Sequence, residues 1–181
     1  MKFDYNIVLA GLVHLFFSVL IGVFFIYLAY TLFKKLNSAI DDDKELKNGN
    51  ISVAVLMGSV IFSIVWITRG SVISGMDTIS TLFRSGFILK NTLIAIGIFV
   101  LQILVSGILS IITIWISTLL FTLLTKNFDE FKEIKNNNLA IALVLGVVVI
   151  SLALFVEPAI NVILNGLVPY PVLDIAPKLP G

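Results

Sequence analysis

Four long stretches without a charged residue constrain this chain more than any other feature of its sequence. Asp, Glu, Lys and Arg are absent from residues 5–33, 48–68, 91–125 and 136–156. Each stretch is long enough for a transmembrane helix, which needs about 20 mainly apolar residues. The sequence therefore predicts an all-α membrane protein with four spans: Ile7–Phe33, Ile51–Ile73, Thr92–Thr125 and Leu139–Leu164.

The composition agrees with a lipid-facing surface and excludes several classes of site. Hydrophobic residues make up 59% of the chain and charged residues 13%, whereas a soluble domain is about 25% charged. A soluble chain of 181 residues could not bury so much apolar surface. The net charge of +1 provides no basic field for nucleic acid. With no cysteine and one histidine, we expect no thiolate or multi-histidine metal site and no cofactor.

The distribution of positive charge predicts the orientation of the spans. The loops 34–50 and 126–138 contain more than half of the 12 Lys and Arg residues, and with four spans they lie on one side. The positive-inside rule assigns that side to the cytoplasm and both termini to the exterior. The external link Ser74–Lys90 has apolar residues at helical spacing, which predict a short helix on the membrane surface: Ile79, Leu82, Phe83 and Phe87.

The sequence also matches itself at an offset of 88 positions. Within residues 41–63 the identical pairs are Asp41 and Asp129, Lys44 and Lys132, Glu45 and Glu133, Lys47 and Lys135, Asn48 and Asn136, Asn50 and Asn138, Ala54 and Ala142, Gly58 and Gly146, Val60 and Val148, and Ser63 and Ser151. These matches predict two tandem two-helix hairpins, 1–88 and 89–166, followed by an extended proline-rich tail, 167–181. Because two spans return the chain to its starting side, the copies should run parallel.

The segment Glu45-Leu-Lys-Asn-Gly-Asn-Ile-Ser-Val-Ala-Val-Leu-Met-Gly and its echo from Glu133 carry a family resemblance. With its charged loop and an Asn before a small-residue helix, this pattern resembles the bacterial membrane family catalogued as domain of unknown function 350. The echo departs from the family pattern at Asn137, where the first copy keeps Gly49. The resemblance implies the duplicated helical fold and a bacterial inner-membrane location, and it implies no activity.

A polar stripe is the clearest pattern inside the predicted membrane region. Five residues of the third span recur every three or four positions and therefore share one helix face: Gln102, Ser106, Ser110, Thr113 and Ser117. The first span has His14 and Ser18 at the matched positions. The stripe indicates either helix packing through small and hydroxyl side chains or the lining of a polar pathway. A single histidine is more typical of packing than of proton transfer, and Gln102 opposite it in the repeat cannot titrate.

Small residues four positions apart occur at matched places in the second and fourth spans. Ala54 with Gly58 and Ala142 with Gly146 are pairs that allow the backbones of two helices to approach closely. We expect them to pack between the repeats or between subunits.

The two copies disagree in the sign of one charge. Arg69 and Glu157 occupy matched positions, each after an apolar run, and ionisable residues within a membrane usually have a partner. They are a candidate intramembrane charge pair, and Pro158 should bend the helix beside Glu157. The alternative is that both lie near the far interface, where long side chains reach water.

The charged loops are candidate cytoplasmic docking surfaces, and their mixed charges are equally consistent with simple solvation. Asn50 and Asn138 are also placed to cap the helices that follow. The candidate docking residues are Lys44, Glu45, Lys47, Asn50, Lys132, Glu133, Lys135 and Asn138.

No catalytic constellation is visible in the sequence, so we do not expect an enzyme. The sequence predicts an integral membrane scaffold or accessory subunit that acts in the lipid bilayer through homo-oligomerisation or a membrane partner protein. The alternative is a small ion channel or permease with a polar path along the third span.

Overall fold

The computed structural model describes residues 5–36, 42–85, 89–125 and 129–167. Within them the helices, in chain order, are α1 Tyr5–Leu36, α2 Asp42–Lys47, α3 Ile51–Ser85, α4 Leu89–Leu124, α5 Glu130–Lys135 and α6 Leu139–Gly166. Helices α1, α3, α4 and α6 are each long and apolar enough to cross a membrane, so the prediction of an all-α protein with four spans is confirmed.

Helix α3 lies at the centre of the bundle and packs against α1, α4 and α6. Helix α6 also packs against α4. Because three long helices surround it, 56% of the apolar window of α3 is buried, against 11% for α1. The main core lies around α3 and includes Val53, Leu56, Ile64, Leu145 and Val149.

Helices α3 and α6 run in the same direction. Ser52 bonds to Asn137 near the start of both helices, and Ser74 bonds to Asn165 near the end of α6. The contacts advance together along the two helices, which requires parallel axes. Contacts between α3 and α4 advance in opposite directions, from Ser71 with Ser106 to Gln102 with Ser74.

The charged loops contain two short helices, α2 and α5, which the sequence analysis did not predict. Both end in a turn whose second residue has a positive φ, Gly49 (78°) and Asn137 (63°). Glycine and asparagine are the residues that adopt this conformation most readily. The backbone hydrogen bonds of the two turns match at an offset of 88: Asn50 to Glu45 at 2.9 Å and Asn138 to Glu133 at 3.0 Å.

The predicted surface helix between the second and third spans is wrong as a separate element. Helix α3 continues without a break to Ser85, so Ile79, Leu82 and Phe83 belong to it. The segment contains no proline after Ile51, and helix propagation adds one hydrogen bond for each residue it fixes. Phe87 and the proline-rich tail 168–181 lie outside the described residues.

Helix α6 begins at Leu139, as predicted, and continues through Pro158 to Gly166. Proline at this position lacks the N–H that would bond the carbonyl one turn earlier. The four predicted spans therefore agree with the helices at their starts, and α3 extends well beyond its predicted end at Ile73.

Candidate functional site

The turns that precede α3 and α6 meet through one buried asparagine. Asn50 is 5% exposed, and its Oδ1 accepts a hydrogen bond from the backbone N–H of Val53 at 3.1 Å, which caps α3 as predicted. Its Nδ2 donates to the carbonyl oxygens of Ile134 at 3.2 Å and Lys135 at 2.9 Å. Asn50 therefore satisfies carbonyls at the end of α5, which would otherwise lack a partner.

The matched residue Asn138 does not make the same contacts. It occupies the N-cap position at which α6 begins, but its side chain makes no capping hydrogen bond. Its Nδ2 instead donates to Glu133 Oε2 at 2.9 Å, as Asn50 Nδ2 donates to Glu45 Oε2 at 3.0 Å. Asn138 is half-buried, so of these two matched asparagines Asn50 is the one that bonds to the opposite turn.

The candidate docking residues form one surface, which we call the α2–α5 face and define by α2, α5 and the turns after them. Ser52 at the start of α3 binds Asn137 Oδ1 through its N–H at 3.1 Å, so the two turns lie side by side. The lysines of this face are exposed and the two matched glutamates are half-buried. The exposed lysines are Lys44, Lys47, Lys132 and Lys135.

Helix α2 is attached to α1 by an ionic contact. Lys34 Nζ donates to Asp43 Oδ2 at 2.6 Å, and the Tyr30 hydroxyl donates to Asp43 Oδ1 at 2.5 Å. These two bonds, the one from Lys34 first, hold the pKa of Asp43 below its usual value. In the matched segment, the hydroxyl of Thr125, the residue after the end of α4, contacts Glu130 of α5. Each short helix is thus attached near the end of the long helix that precedes it.

The polar stripe of α4 is buried between helices. Gln102, Ser106, Ser110 and Ser117 are 0% exposed and Thr113 is 4% exposed. The hydroxyls donate to carbonyls of α4 itself, for example Ser110 to Gly107 at 2.7 Å and Ser117 to Thr113 at 2.7 Å. Such back-bonding satisfies a hydroxyl in an apolar environment without a second helix.

At one end of the stripe the hydrogen bonds cross between helices. Ser106 Oγ lies 2.9 Å from Ser71 Oγ on α3. Gln102 Nε2 donates to the Leu164 carbonyl of α6 at 3.0 Å and to Ser74 Oγ at 3.5 Å. Gln102 Oε1 is buried and makes no hydrogen bond. Hydrogen bonds between polar groups thus join α3, α4 and α6 at this junction.

Arg69 and Glu157 each contact a residue of their own helix. The Arg69 guanidinium lies 4.0 Å from the ring centroid of Trp66, a cation–π contact. Glu157 Oε1 accepts from Asn161 Nδ2 at 2.7 Å. Neither of these contacts joins Arg69 to Glu157, so the structure does not pair the two charges. Arg69 is exposed and Glu157 is half-buried.

The two small-residue pairs have different environments. Ala142 and Gly146 are buried, and a Cβ on Gly146 would lie 2.5 Å from Ser59 Oγ on α3. Ala54 and Gly58 are exposed, and nothing lies within 4 Å of a Cβ on Gly58. Close approach at this motif therefore occurs in the second copy alone.

His14 and Ser18 lie in the N-terminal half of α1 and are partly exposed. Their matched residues in α4 are fully buried, because α4 packs on both α3 and α6 whereas α1 packs chiefly on α3. No group of three His, Cys, Asp or Glu side chains suited to a metal ion occurs in the part of the chain that the structure describes.

Three asparagines outside the predicted site residues make contacts between helices. Asn137 accepts a hydrogen bond from the backbone N–H of Ser52, and Asn165 accepts one from the Ser74 hydroxyl at 3.3 Å. The side chain of Asn161 packs closely against Gly70. A signal was present for two of them, because Glu157, Asn161 and Asn165 are spaced by four and share a helix face.

Comparison with known proteins leaves the activity open and identifies the family. No curated protein and no solved structure matches this chain. The family model described as Domain of Unknown Function (DUF350) matches residues 6–160, which is most of the chain and all but the end of α6. This multi-pass membrane protein therefore belongs to the DUF350 family.

Proposed function

We propose that this protein is a membrane scaffold or accessory subunit and not an enzyme. It lies in the bacterial plasma membrane, with the α2–α5 face in the cytoplasm and both termini outside. It acts through homo-oligomerisation or by binding a membrane partner protein. In this proposal the chain is two parallel tandem hairpins, which is supported by the parallel axes of α3 and α6 and by the matched turns after α2 and α5.

The burial of the polar stripe carries the proposal. A pathway for ions or solutes needs polar groups that face a water-filled space. The hydroxyls of Ser106, Ser110 and Ser117 are instead enclosed and bonded to carbonyls of α4. Small hydroxyl side chains that are satisfied by their own helix let neighbouring helices pack closely, as expected in a protein whose spans serve as a rigid support.

The α2–α5 face supports the choice of a binding role. It presents lysines from both hairpins on one surface, held by the Asn50 bonds to α5. The same helices carry the carboxylates Asp42, Asp43, Glu45, Glu130 and Glu133, so the face has mixed charge. Its exposed lysines can pair with carboxylates of a partner protein, and its attachment to α1 by Asp43 limits the entropy lost on binding.

A channel or permease is the second candidate, and one observation favours it. Gln102 Oε1 is buried without a hydrogen bond, at the junction where Ser74 and Ser106 also lie. A buried acceptor of this kind costs about 1–3 kcal/mol, and it would be satisfied by a water or a permeating species.

Single cysteines in this cysteine-free chain separate the two functions. We expect Ser106→Cys and Ser110→Cys in native membranes to resist a water-soluble thiol reagent, as does the lipid-facing control Ile108→Cys. Lys132→Cys on the exposed face should react rapidly. Stripe cysteines that react at a rate close to that of Lys132→Cys would exclude the scaffold and support the channel.

The binding role needs a separate measurement. Purification in mild detergent, followed by identification of co-purifying membrane proteins, should return the same partner for the wild type and for Ile108→Cys. Lys44→Glu combined with Lys132→Glu should reduce its yield at least tenfold. Unchanged recovery after this charge reversal would exclude the α2–α5 face as the docking surface.

A further inference from the structure

The contact between the two hairpins is one-sided. Ser59 of α3 lies in a notch at Gly146 of α6, with its Cβ 3.3 Å and its Oγ 2.5 Å from the position of a Cβ on Gly146. The matched residues are Val147 in α6 and Gly58 in α3. Val147 is 60% exposed, and the space at Gly58 is open. Ser59 of the first copy thus fills the notch at Gly146 of the second, whereas the notch at Gly58 of the first copy is empty.

A second contact repeats this pattern at the other end of the bundle. The ring of Phe99 in α4 occupies a notch at Gly75 in α3, where a Cβ would lie 1.9 Å from Phe99 Cδ2. The matched residues are Gly11 in α1 and Ile163 in α6. Ile163 is 51% exposed, and nothing lies within 4 Å of a Cβ on Gly11. In the internal contact the large residue is on α4 and the glycine is on α3, whereas in the matched pair the large residue is on α6 and the glycine is on α1. Each pair therefore still consists of one large residue and one glycine.

Residues of α3 that are buried against the second hairpin also have exposed counterparts at the matched positions of α6. Ile67 is 0% exposed, whereas its counterpart Phe155 is 84% exposed. Ser71 is buried against Ser106, and its counterpart Ala159 is exposed. We call the exposed surface of α6 with Val147, Phe155 and Ile163 the outer α6 face.

An interface of this kind cannot close within one chain. In a two-fold interface each contact occurs twice, so Gly58 would receive Val147 of the same chain. The internal interface is instead head-to-tail, and it leaves one unused surface of each type at opposite ends of the molecule. Head-to-tail surfaces pair with a further copy and generate rings or rows.

We propose that the outer α6 face of one chain docks on the α1–α3 hairpin of a second copy of this chain. Val147 enters the notch at Gly58, and Ile163 enters the notch at Gly11. Such an assembly repeats the internal contact between hairpins, and this inference rests on the tandem-hairpin architecture proposed above. The hydrophobic effect does not drive apolar helices together within lipid. Close backbone packing at the two glycines would therefore supply the specificity of the association between chains.

Disulfide trapping in native membranes tests the inference. Gly58→Cys and Val147→Cys are introduced into one chain and oxidised with copper phenanthroline, which enters lipid. We expect disulfide-linked dimers and a ladder of higher species. Gly11→Cys with Ile163→Cys is a second pair at the other end of the same interface, in case the first pair disturbs folding.

Two controls define the expected specificity. Leu104→Cys on the lipid face of α4 (57% exposed), combined with Gly58→Cys, should give at least tenfold less dimer. Val147→Cys alone should also give little, because a head-to-tail contact does not bring two copies of Val147 together. Strong linkage of Val147→Cys alone indicates a two-fold dimer and overturns the inference, as does the absence of linkage in both pairs.

An internal pair separates this inference from the architecture on which it rests. Ser59→Cys with Gly146→Cys should form a disulfide within one chain, since the Cβ separation of 3.3 Å is close to the 3.5–4.5 Å found in disulfides. Failure of this internal pair contradicts the packing of the two hairpins. Success of the internal pair with failure of both intermolecular pairs contradicts self-assembly alone.

Discussion

Asn50 and Asn138 have similar neighbours in sequence and different hydrogen bonds in the structure. Asn50 caps α3 and also satisfies two carbonyls of α5, whereas Asn138 bonds to Glu133 without capping α6. Removal of a side chain that bonds to two elements destabilises the protein through the loss of both sets of hydrogen bonds. The same substitution at these two positions should therefore have unequal effects.

We expect Asn50→Ala to lower the free energy of unfolding by about 2–4 kcal/mol, combining the loss of a cap with buried carbonyls left without a partner. Asn138→Ala should cost about 1 kcal/mol or less. For a chain of this size the first change lowers the Tm by about 4–16 °C, measured by thermal unfolding in detergent. Equal shifts for the two variants would contradict the role assigned to Asn50.

Position 75 requires glycine because the Phe99 ring occupies the space of a side chain there, and not because of its backbone conformation. A methyl group there would lie within 3 Å of three atoms of the Phe99 ring, and an aromatic ring has little room to move in a packed interior. Gly75→Ala should cost about 1–3 kcal/mol, the usual cost of overpacking. The matched control is Gly97→Ala, where the space is open, and its Tm should be unchanged or higher.

At the scale of elements, the short helices α2 and α5 connect the charged surface to the membrane spans. Helix α2 has only six residues, and an isolated helix of that length is unstable in water. Besides packing on α3, it is attached to α1 through Asp43, which bonds to Lys34 and Tyr30. The attachment is therefore ionic and should respond to pH.

The pKa of Asp43 lies below its ordinary value of 3.8 in the folded protein, so folding favours the ionised carboxylate. The attachment of α2 is fully present above pH 3.8 and is lost as the pH falls through the lowered pKa. Carbon-13 NMR of the Asp43 carboxyl should show an inflection below 3.8. Lys34→Met should move it upward, and the exposed Lys35→Met should leave it almost unchanged; identical inflections would contradict this attachment.

At the scale of the whole molecule, the starts of α3 and α6 could be predicted from the sequence, and the asymmetry between the hairpins could not. Asn50 and Asn138 stand between a charged loop and an apolar run, a local signal for a helix start. Gly58 and Gly146 are identical in type and context, so no local signal tells which of them a neighbouring helix covers. That difference depends on which side of α3 receives the second hairpin.

The extension of α3 to Ser85 was missed for a related reason. Arg69 and Asp77 end the apolar run and so mark where a span should leave the membrane, but charged residues do not stop a helix. The backbone continues to form hydrogen bonds after the hydrophobic signal has ended. The polar stripe was recognised from its spacing, and its enclosure by α3 and α6 required the packing of the whole bundle.

Thiol labelling from each side of intact membranes tests the arrangement of the whole chain. Lys44→Cys and Lys132→Cys should react with a membrane-impermeant reagent from the cytoplasmic side, because α2 and α5 share one face. Lys90→Cys at the start of α4 should react from the opposite side only. Labelling of Lys44→Cys and Lys132→Cys from opposite sides would contradict the four-span arrangement.

The bonds from Asn50 have a consequence for how the protein is made. Their acceptors lie 84 and 85 residues further along the chain, and a ribosome synthesises about 5–20 residues per second. For about 4–17 seconds, the first hairpin waits in the bilayer for the carbonyls of α5. During that interval the Asn50 side chain lacks these two acceptors, so the first hairpin reaches its final hydrogen bonding only after α5 has been synthesised.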